Sequence, residues 1–328
     1  MSGSPISGER RRTMLRSAMG PGIAAALADP RVIEVMVNPD GALRVDILAE
    51  GRVDTDVRID SAQVERIIRL VASHARGEVH AERPIVSAEL PPHGEGAGER
   101  FEGVLPPVSL TPCFSIRKPA ARIYTLLDYV TDGIMSADAA RILSMAVVER
   151  RNILVVGGTS SGKTTLANAL LAEMAHLDER VILIEDTREL QCAAPDVVAL
   201  RTRAGSVTMA DLVRSTLRLR PDRIVVGEVR GAEALDMLKA WNTGHPGGIA
   251  TVHANSALSA LYRVEQLVQE AVVSVPRPLI ADAIDLIVFI AGRGVARRIE
   301  TIARVVGLDP DGGYGLIDIT PTSQTQGA

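Results

Sequence analysis

The sequence predicts an α/β fold whose second half is built on a mainly parallel sheet, preceded by a small α+β domain. From about residue 136 onward, short β-branched runs alternate with helical patterns, as expected of strands buried on both faces and joined by crossover helices. One of those runs, NILVV, passes without a spacer into a glycine-rich loop that opens a helix. Before residue 120 the pattern differs: short strands separated by turn signals, with one amphipathic helix among them. A chain of 328 residues with 46% hydrophobic content can supply each of two domains with a core.

Taken in order, residues 1–20 are polar and rich in Gly, Ser and Arg, with Arg10, Arg11, Arg12 and Arg16 clustered. They read as a flexible N-terminal segment, either a solvated tail or a basic arm in peripheral contact with anionic lipid. Residues 21–118 form the α+β domain. Strands are expected over 32–37, 43–47 and 53–59, the first two joined by the turn residues Asn38, Pro39, Asp40 and Gly41. A helix follows with Ser61 as its cap, and Val64, Ile67, Ile68 and Val71 form one apolar stripe at i, i+3, i+4, i+7. Further strands are expected over 85–90, 101–105 and 113–117. Pro119 and Gly133 mark 119–135 as a linker.

Residues 136–320 form the second domain, with strands over 153–156, 181–184, 224–226 and 249–252. Leu166, Leu170, Leu171 and Met174 make the helix after the glycine-rich loop amphipathic. Ala234, Met237, Leu238 and Trp241 repeat the helical spacing, which puts Trp241 in the core. The polar residues 321–328 are expected to be disordered.

The loop itself carries the strongest chemical signal. Gly157, Gly158, Thr159, Ser160, Ser161, Gly162, Lys163, Thr164 and Thr165 are a complete Walker A phosphate loop. Its glycines let successive N–H groups converge on an anion, and the following helix aims its positive end at the same point. Lys163 reaches the β- and γ-phosphates, and the Thr164 hydroxyl is placed to ligate Mg²⁺. Only Lys118, Lys163 and Lys239 among the 36 basic residues are lysine, and one of the three stands where the loop needs it.

In parallel α/β folds ligand chemistry collects at the carboxyl ends of strands, so the polar residues there matter most. Glu185 and Asp186, with Glu189 after a turn, close one strand. They read as a general base or holders of a metal-bound water, or else as a helix cap and solvated loop start. Glu228 closes the next, in the Walker B pattern with Mg²⁺ held through water. His253 closes the last and can hydrogen-bond a γ-phosphate; His245 lies just ahead of the same strand. Arg117, Arg100, Arg201 and Arg203 are candidates to answer charge on a transferring phosphoryl group, Arg117 first because it adjoins the linker.

Composition narrows the classes. A net charge of −4 and a pI near 5.9 give no footprint for wrapping nucleic acid, so no sequence-specific nucleic-acid contact is expected. Cys113 and Cys192 lack C-x-x-C spacing, which argues against a disulfide framework or zinc site and for a reducing, cytoplasmic setting. Apolar runs such as 286–291 fall short of a membrane span, and no signal-peptide core opens the chain.

The segments GGTSSGKTT, ILIEDTREL, RPDRIVVGEVRGAEA and TGHPGGIATVHANS, in this order, closely resemble the Walker A, Asp box, Walker B and His box of the secretion ATPase superfamily. EVMVNPDGALRV, ERFEGVLPP and FSIRKPA resemble the N-terminal domain of its conjugal-transfer branch, the TrbB family. The resemblance runs from about residue 32 to about 307. It implies a RecA-like P-loop ATPase domain behind an α+β domain, assembling as a homo-hexameric ring on the cytoplasmic face of the inner membrane. It further implies ATP with Mg²⁺ as ligand, Glu185 and Glu228 handling water and metal, His245 and His253 as sensors, and inner-membrane conjugation components as partners. The tetracysteine insertion of the type II secretion relatives is missing. A pilus retraction or assembly ATPase is the alternative within the superfamily; a strand motor on nucleic acid and a nucleotide-gated scaffold are the alternatives outside it.

Overall fold

The structure is a computed structural model described over residues 5–48, 50–75, 77–91, 98–119, 122–203 and 205–321, with side chains from residue 13. The chain divides into two compact units, Met1–Ala121 and Arg122–Ala328.

The first unit is a six-stranded antiparallel sheet with two helices. Its strands are β1 (Val32–Val37), β2 (Ala42–Ile47), β3 (Gly51–Arg58), β4 (Ile85–Glu89), β5 (Arg100–Val104) and β6 (Cys113–Arg117), in the spatial order β3-β2-β1-β6-β5-β4. Helix α2 (Ser61–His74) lays Val64, Ile67, Ile68 and Val71 onto the core, as their spacing requires. Its cap is Asp60 rather than Ser61: the Asp60 carboxylate accepts the Gln63 N–H.

The N-terminal segment departs most from expectation. Pro5–Ala28 is helical (α1), broken only at Gly20, whose φ of 71° no ordinary helical residue adopts, with Pro21 behind it. Leu15, Ala18, Met19 and Ile23 are buried against the sheet at helical spacing. Beside the break the Gln63 amide donates to the Ala18 carbonyl. Over residues 5–20 the reading as a flexible segment is therefore corrected, the arginine run having hidden an apolar stripe three and four residues apart; residues 1–4 lie outside the described residues.

The second unit contains α3 (Leu126–Thr131), α4 (Ala137–Val148), β7 (Ile153–Gly157), α5 (Lys163–Ala172), β8 (Arg180–Glu185), β9 (Asp196–Arg201), α6 (Met209–Thr216), β10 (Arg223–Val226), α7 (Glu233–Asn242), β11 (Ile249–His253), α8 (Ala257–Gln269), α9 (Arg277–Ala283), β12 (Leu286–Ala291), β13 (Arg298–Leu308) and β14 (Tyr314–Asp318). They form an eight-stranded sheet in the order β14-β13-β12-β7-β11-β10-β8-β9, parallel from β12 to β9 and antiparallel at β13 and β14. Helices α6 to α9 cover one face and α3 to α5 the other, so successive β7 residues alternate between two cores: Leu154 and Val156 in one, Ile153 and Val155 in the other. Trp241 lies in the first core and donates its indole N–H to the Ile224 carbonyl.

Residues 119–135 do not all serve as a linker. Leu126, Tyr129 and Met135 pack into the second core, and α3 is closed by a Thr125–Asp128 capping box. Residues 120 and 121 lie outside the described residues, as do 322–328 of the expected tail.

At the lower end of this sheet one side chain joins distant segments. Asn152 accepts the N–H groups of Gly247 and Gly248 and donates to the Ala283 carbonyl, while its own N–H is held by Asp285.

Candidate functional site

Strand β7 is buried on both faces and ends at Gly157, where a Cβ would stand 2.5 Å from both the Ile290 carbonyl oxygen and the Ser161 Oγ. Only glycine lets the chain turn there without pushing β12 away. The loop then passes Ser160 at φ 61° and Gly162 at φ 100° before α5 begins at Lys163. The first N–H groups of α5 have no acceptor within the helix and face outward with its positive end, the arrangement that holds a phosphate.

Lys163 is 7% exposed. Its Nζ donates to the Gly158 carbonyl at 2.9 Å and lies 3.2 Å from Nδ1 and 3.3 Å from Nε2 of His253. His253 reaches it because β11 pairs with β7 in parallel register, with His253 opposite Gly157. Burial, and next the Lys163 charge, push the His253 pKa down, so the ring is neutral at neutral pH. Its Nε2 is 2.9 Å from Glu228 Oε1, though off the line of a straight hydrogen bond. A proton on Nε2 faces Glu228 and leaves Nδ1 to accept from Lys163, the tautomer that opposes no two acceptors.

Glu228 follows β10. Its other oxygen accepts from Arg230 at 2.5 Å. Burial acts to raise its pKa, but the Arg230 hydrogen bond and the charges of Arg230, His253 and Lys163 outweigh it and hold the carboxyl below its ordinary value. Glu185, at the end of the neighbouring β8, is 4% exposed and behaves oppositely. Burial raises its pKa to about 7, against two N–H groups, from Glu189 and Leu190, that donate to Oε1 at 2.8 Å each. Gly227 separates the two acids: a Cβ there would stand 3.1 Å from the Glu185 Cγ. Asn168 on α5 ties the same turn to the phosphate loop's helix, donating to Glu189 O and accepting from Gln191 N.

Lys163, His253, Glu228 and Glu185 thus share the upper end of adjacent strands. His245 does not join them. It precedes β11, whose length separates it from His253, and its ring nitrogen contacts the Pro221 carbonyl at the lower end of the sheet. The sensing role that the resemblance implies for His245 therefore has no geometric counterpart beside Lys163 and His253 within this chain. Arg201 ends β9 in register with Glu185 and is exposed; Arg203 closes a turn with Val207. Arg117 and Arg100 are ladder partners in the first unit. Asp186 accepts from Thr202 rather than facing the loop lysine.

Two residues of the site went unread in the sequence. Arg230 follows the Walker B glutamate by two positions, a signal visible in GEVRG but indistinct among so many arginines. Arg297 approaches Gly162 from the turn between β12 and β13.

Hard oxygen donors suit Mg²⁺, and Thr164, in the first turn of α5, and the Glu228 carboxylate are of that kind. No group of three His, Cys, Asp or Glu side chains among the described residues could hold a metal ion. The Ser161 Oγ, buried in the loop, has no hydrogen-bond partner.

Residues 34–300 match the family of type II/IV secretion system proteins. A conjugal transfer protein TrbB of Rhizobium radiobacter is 47% identical over 295 residues, 89% of this chain and 90% of that one. The type IV secretion system protein VirB11 of Bartonella henselae is 32% identical over 289 residues, 76% of this chain and 80% of that one. The solved structure of the pilus retraction motor PilT with bound ADP has a TM-score of 0.60 at 20% identity, covering 92% of this chain and 82% of that one, a likeness of fold.

Proposed function

The chain belongs to the type II/IV secretion system protein family, its second unit having the RecA-like fold, and on that premise we propose that it is the ATPase of a conjugative type IV secretion system. It binds ATP on the loop from Gly157 to Thr165 and hydrolyses it to ADP and phosphate. One observation carries the reading: Lys163 lies at the positive end of α5 and its amine is already shared with His253, which stands against Glu228. An incoming anion with a reactive end between these groups would make use of that arrangement.

Loop N–H groups hold the β-phosphate, and Lys163 leaves the Gly158 carbonyl for the β- and γ-oxygens. Mg²⁺, held by Thr164 and through water by Glu228, would neutralise phosphate charge. Glu185, whose pKa of about 7 lies near working pH, takes the proton of the attacking water. His253, released by Lys163, turns to the γ-phosphate and registers its loss. Arg117 is assigned to phosphoryl charge on family resemblance alone.

We further propose a homo-hexamer at the cytoplasmic face of the inner membrane, energising channel or pilus assembly through inner-membrane partners. No helix among the described residues is long and apolar enough to cross a membrane. The curated relatives at 47% and 48% identity carry conjugal-transfer names, which favours this role over pilus retraction.

Steady-state phosphate release by the purified chain tests the assignment. Lys163→Ala is expected to lose most turnover with its melting temperature kept, and Glu228→Gln to keep nucleotide affinity while turnover falls at least about 100-fold. Equal turnover in the Lys163 variant sinks the ATPase reading.

A further inference from the structure

Arg297 is a cation in an unfavourable place. Its guanidinium occupies the space beside Gly162: a Cβ built there would stand 2.9 Å from Nε and 3.1 Å from Cζ. Gly162 is the N-cap of α5, the positive end of that helix, and Lys163 follows directly. A second cation at such a point is repelled unless an anion joins it. No carboxylate pairs with Arg297 among the described residues, and its Nε is buried without a hydrogen-bond partner. An unpaired buried donor on a charged group costs more than an ordinary hydrogen bond returns, and an anion arriving at the loop would offset that cost.

The arginine is also held in place. Gly292, at φ 77°, opens the turn so tightly that a Cβ would fall 2.0 Å from the Ala296 carbonyl oxygen. Just beyond Arg297, the Ile299 N–H donates to the Ile134 carbonyl, fastening β13 beside α3. The Tyr129 hydroxyl of α3 is likewise buried without a partner, and the Arg297 charge acts on it. These orphaned polar atoms belong to the β12–β13 turn and to the helix α3 that adjoins it.

Sheet order gives the direction. Strand β7 lies between β12 and β11. Glu228 and His253 come from the β10 and β11 side and mark the γ-end of a bound triphosphate; Arg297 comes from the β12 and β13 side and marks the other end. We propose that Arg297 is a nucleotide-binding residue that donates to the polyphosphate at its nucleoside end, the α-phosphate, and so sets affinity for di- and triphosphates alike rather than the rate of the chemical step. This inference rests on the ATPase reading above.

The test is equilibrium binding of ATP, ADP and GTP to the full chain, with steady-state hydrolysis, for wild type, Arg297→Ala and Arg297→Lys. Loss of a charge-assisted contact is expected to weaken ATP and ADP by the same factor, about tenfold or more, and GTP equally. KM should rise in parallel while kcat stays within about threefold, and Arg297→Lys should recover part of the affinity at unchanged melting temperature. Unchanged affinity in Arg297→Ala overturns the proposal. So does a loss confined to ATP, which would place the arginine at the γ-end, a loss that spares GTP, which would place it on the base, or a fall in kcat with KM unchanged. Wild-type protein that binds none of these nucleotides would instead refute the ATPase reading itself.

Discussion

Two carboxylates one strand apart titrate in opposite directions, and this can be measured. Burial raises Glu185 from 4.5 to about 7, whereas Arg230 and the charges around it hold Glu228 low. If Glu185 is the base, kcat rises with pH through about 7 and Glu185→Gln loses that limb along with most activity. Stability moves the other way. Below pH 4.5 Glu185 is protonated in folded and unfolded chains alike; between there and about 7 the unfolded chain gives up a proton that the folded chain keeps. Stability therefore falls as pH rises across this window, by an amount on the order of 3 kcal/mol for a shift of that size, and denaturation of Glu185→Gln should lack that slope. A parallel slope in the variant would assign it to another group. At this scale the sequence was most legible where spacing is rigid: the Walker A loop, and acids directly behind apolar runs. It was least legible where a residue reaches the loop from another segment. Arg297 carries no local mark among 36 basic residues, and the two histidines near β11 look alike in sequence although they bracket a strand.

The elements that sequence periodicity revealed are those whose faces are uniform. Strands β7, β8, β10 and β11 are almost wholly buried and read as apolar runs. Strand β9 at one edge and β13 and β14 toward the other mix charged and apolar residues, because one flank or face meets water, and their pattern did not separate them from loops. Helix α1 was missed for the same reason. Its buried stripe is a specific expectation: Leu15→Ala should cost roughly 2–5 kcal/mol in denaturant unfolding, where a mobile arm would cost nothing. At the start of β11, Gly248 has no room for a Cβ, which would stand 2.0 Å from the Trp241 Nε1. Trp241 is itself fixed by its bond to Ile224. Gly248→Ala should destabilise the chain by about 3 kcal/mol, seen as a melting temperature several degrees lower. Wild-type stability in this variant would mean that the indole moves more freely than its burial suggests.

For the molecule as a whole, the two-domain organisation was visible as a change of pattern, but the junction was placed too late, because the polar and glycine-containing stretch before residue 136 includes α3, whose Leu126 and Tyr129 belong to the second core. The proposed ring makes a demand of its own. If turnover needs neighbouring copies, specific activity should climb with protein concentration, and sedimentation with nucleotide should show the larger species appearing over the same range. A monomer fully active at every concentration rejects the ring.

The bonds that Asn152 makes to Gly247, Gly248 and Ala283 bear on how the second unit reaches its native state. The neighbours of β7 are β11 and β12, which follow it by roughly a hundred residues or more, so the centre of the sheet can close only after most of the unit has been made. Contacts of such long sequence separation slow folding, because chain entropy is surrendered before they are gained. During synthesis the glycine-rich loop leaves the ribosome long before Ile290, the backbone that Gly157 packs against, and Asn152 waits still with its partners absent. On the proposed ATPase reading, a nucleotide meets a shaped loop only once β11 and β12 have closed the sheet around it.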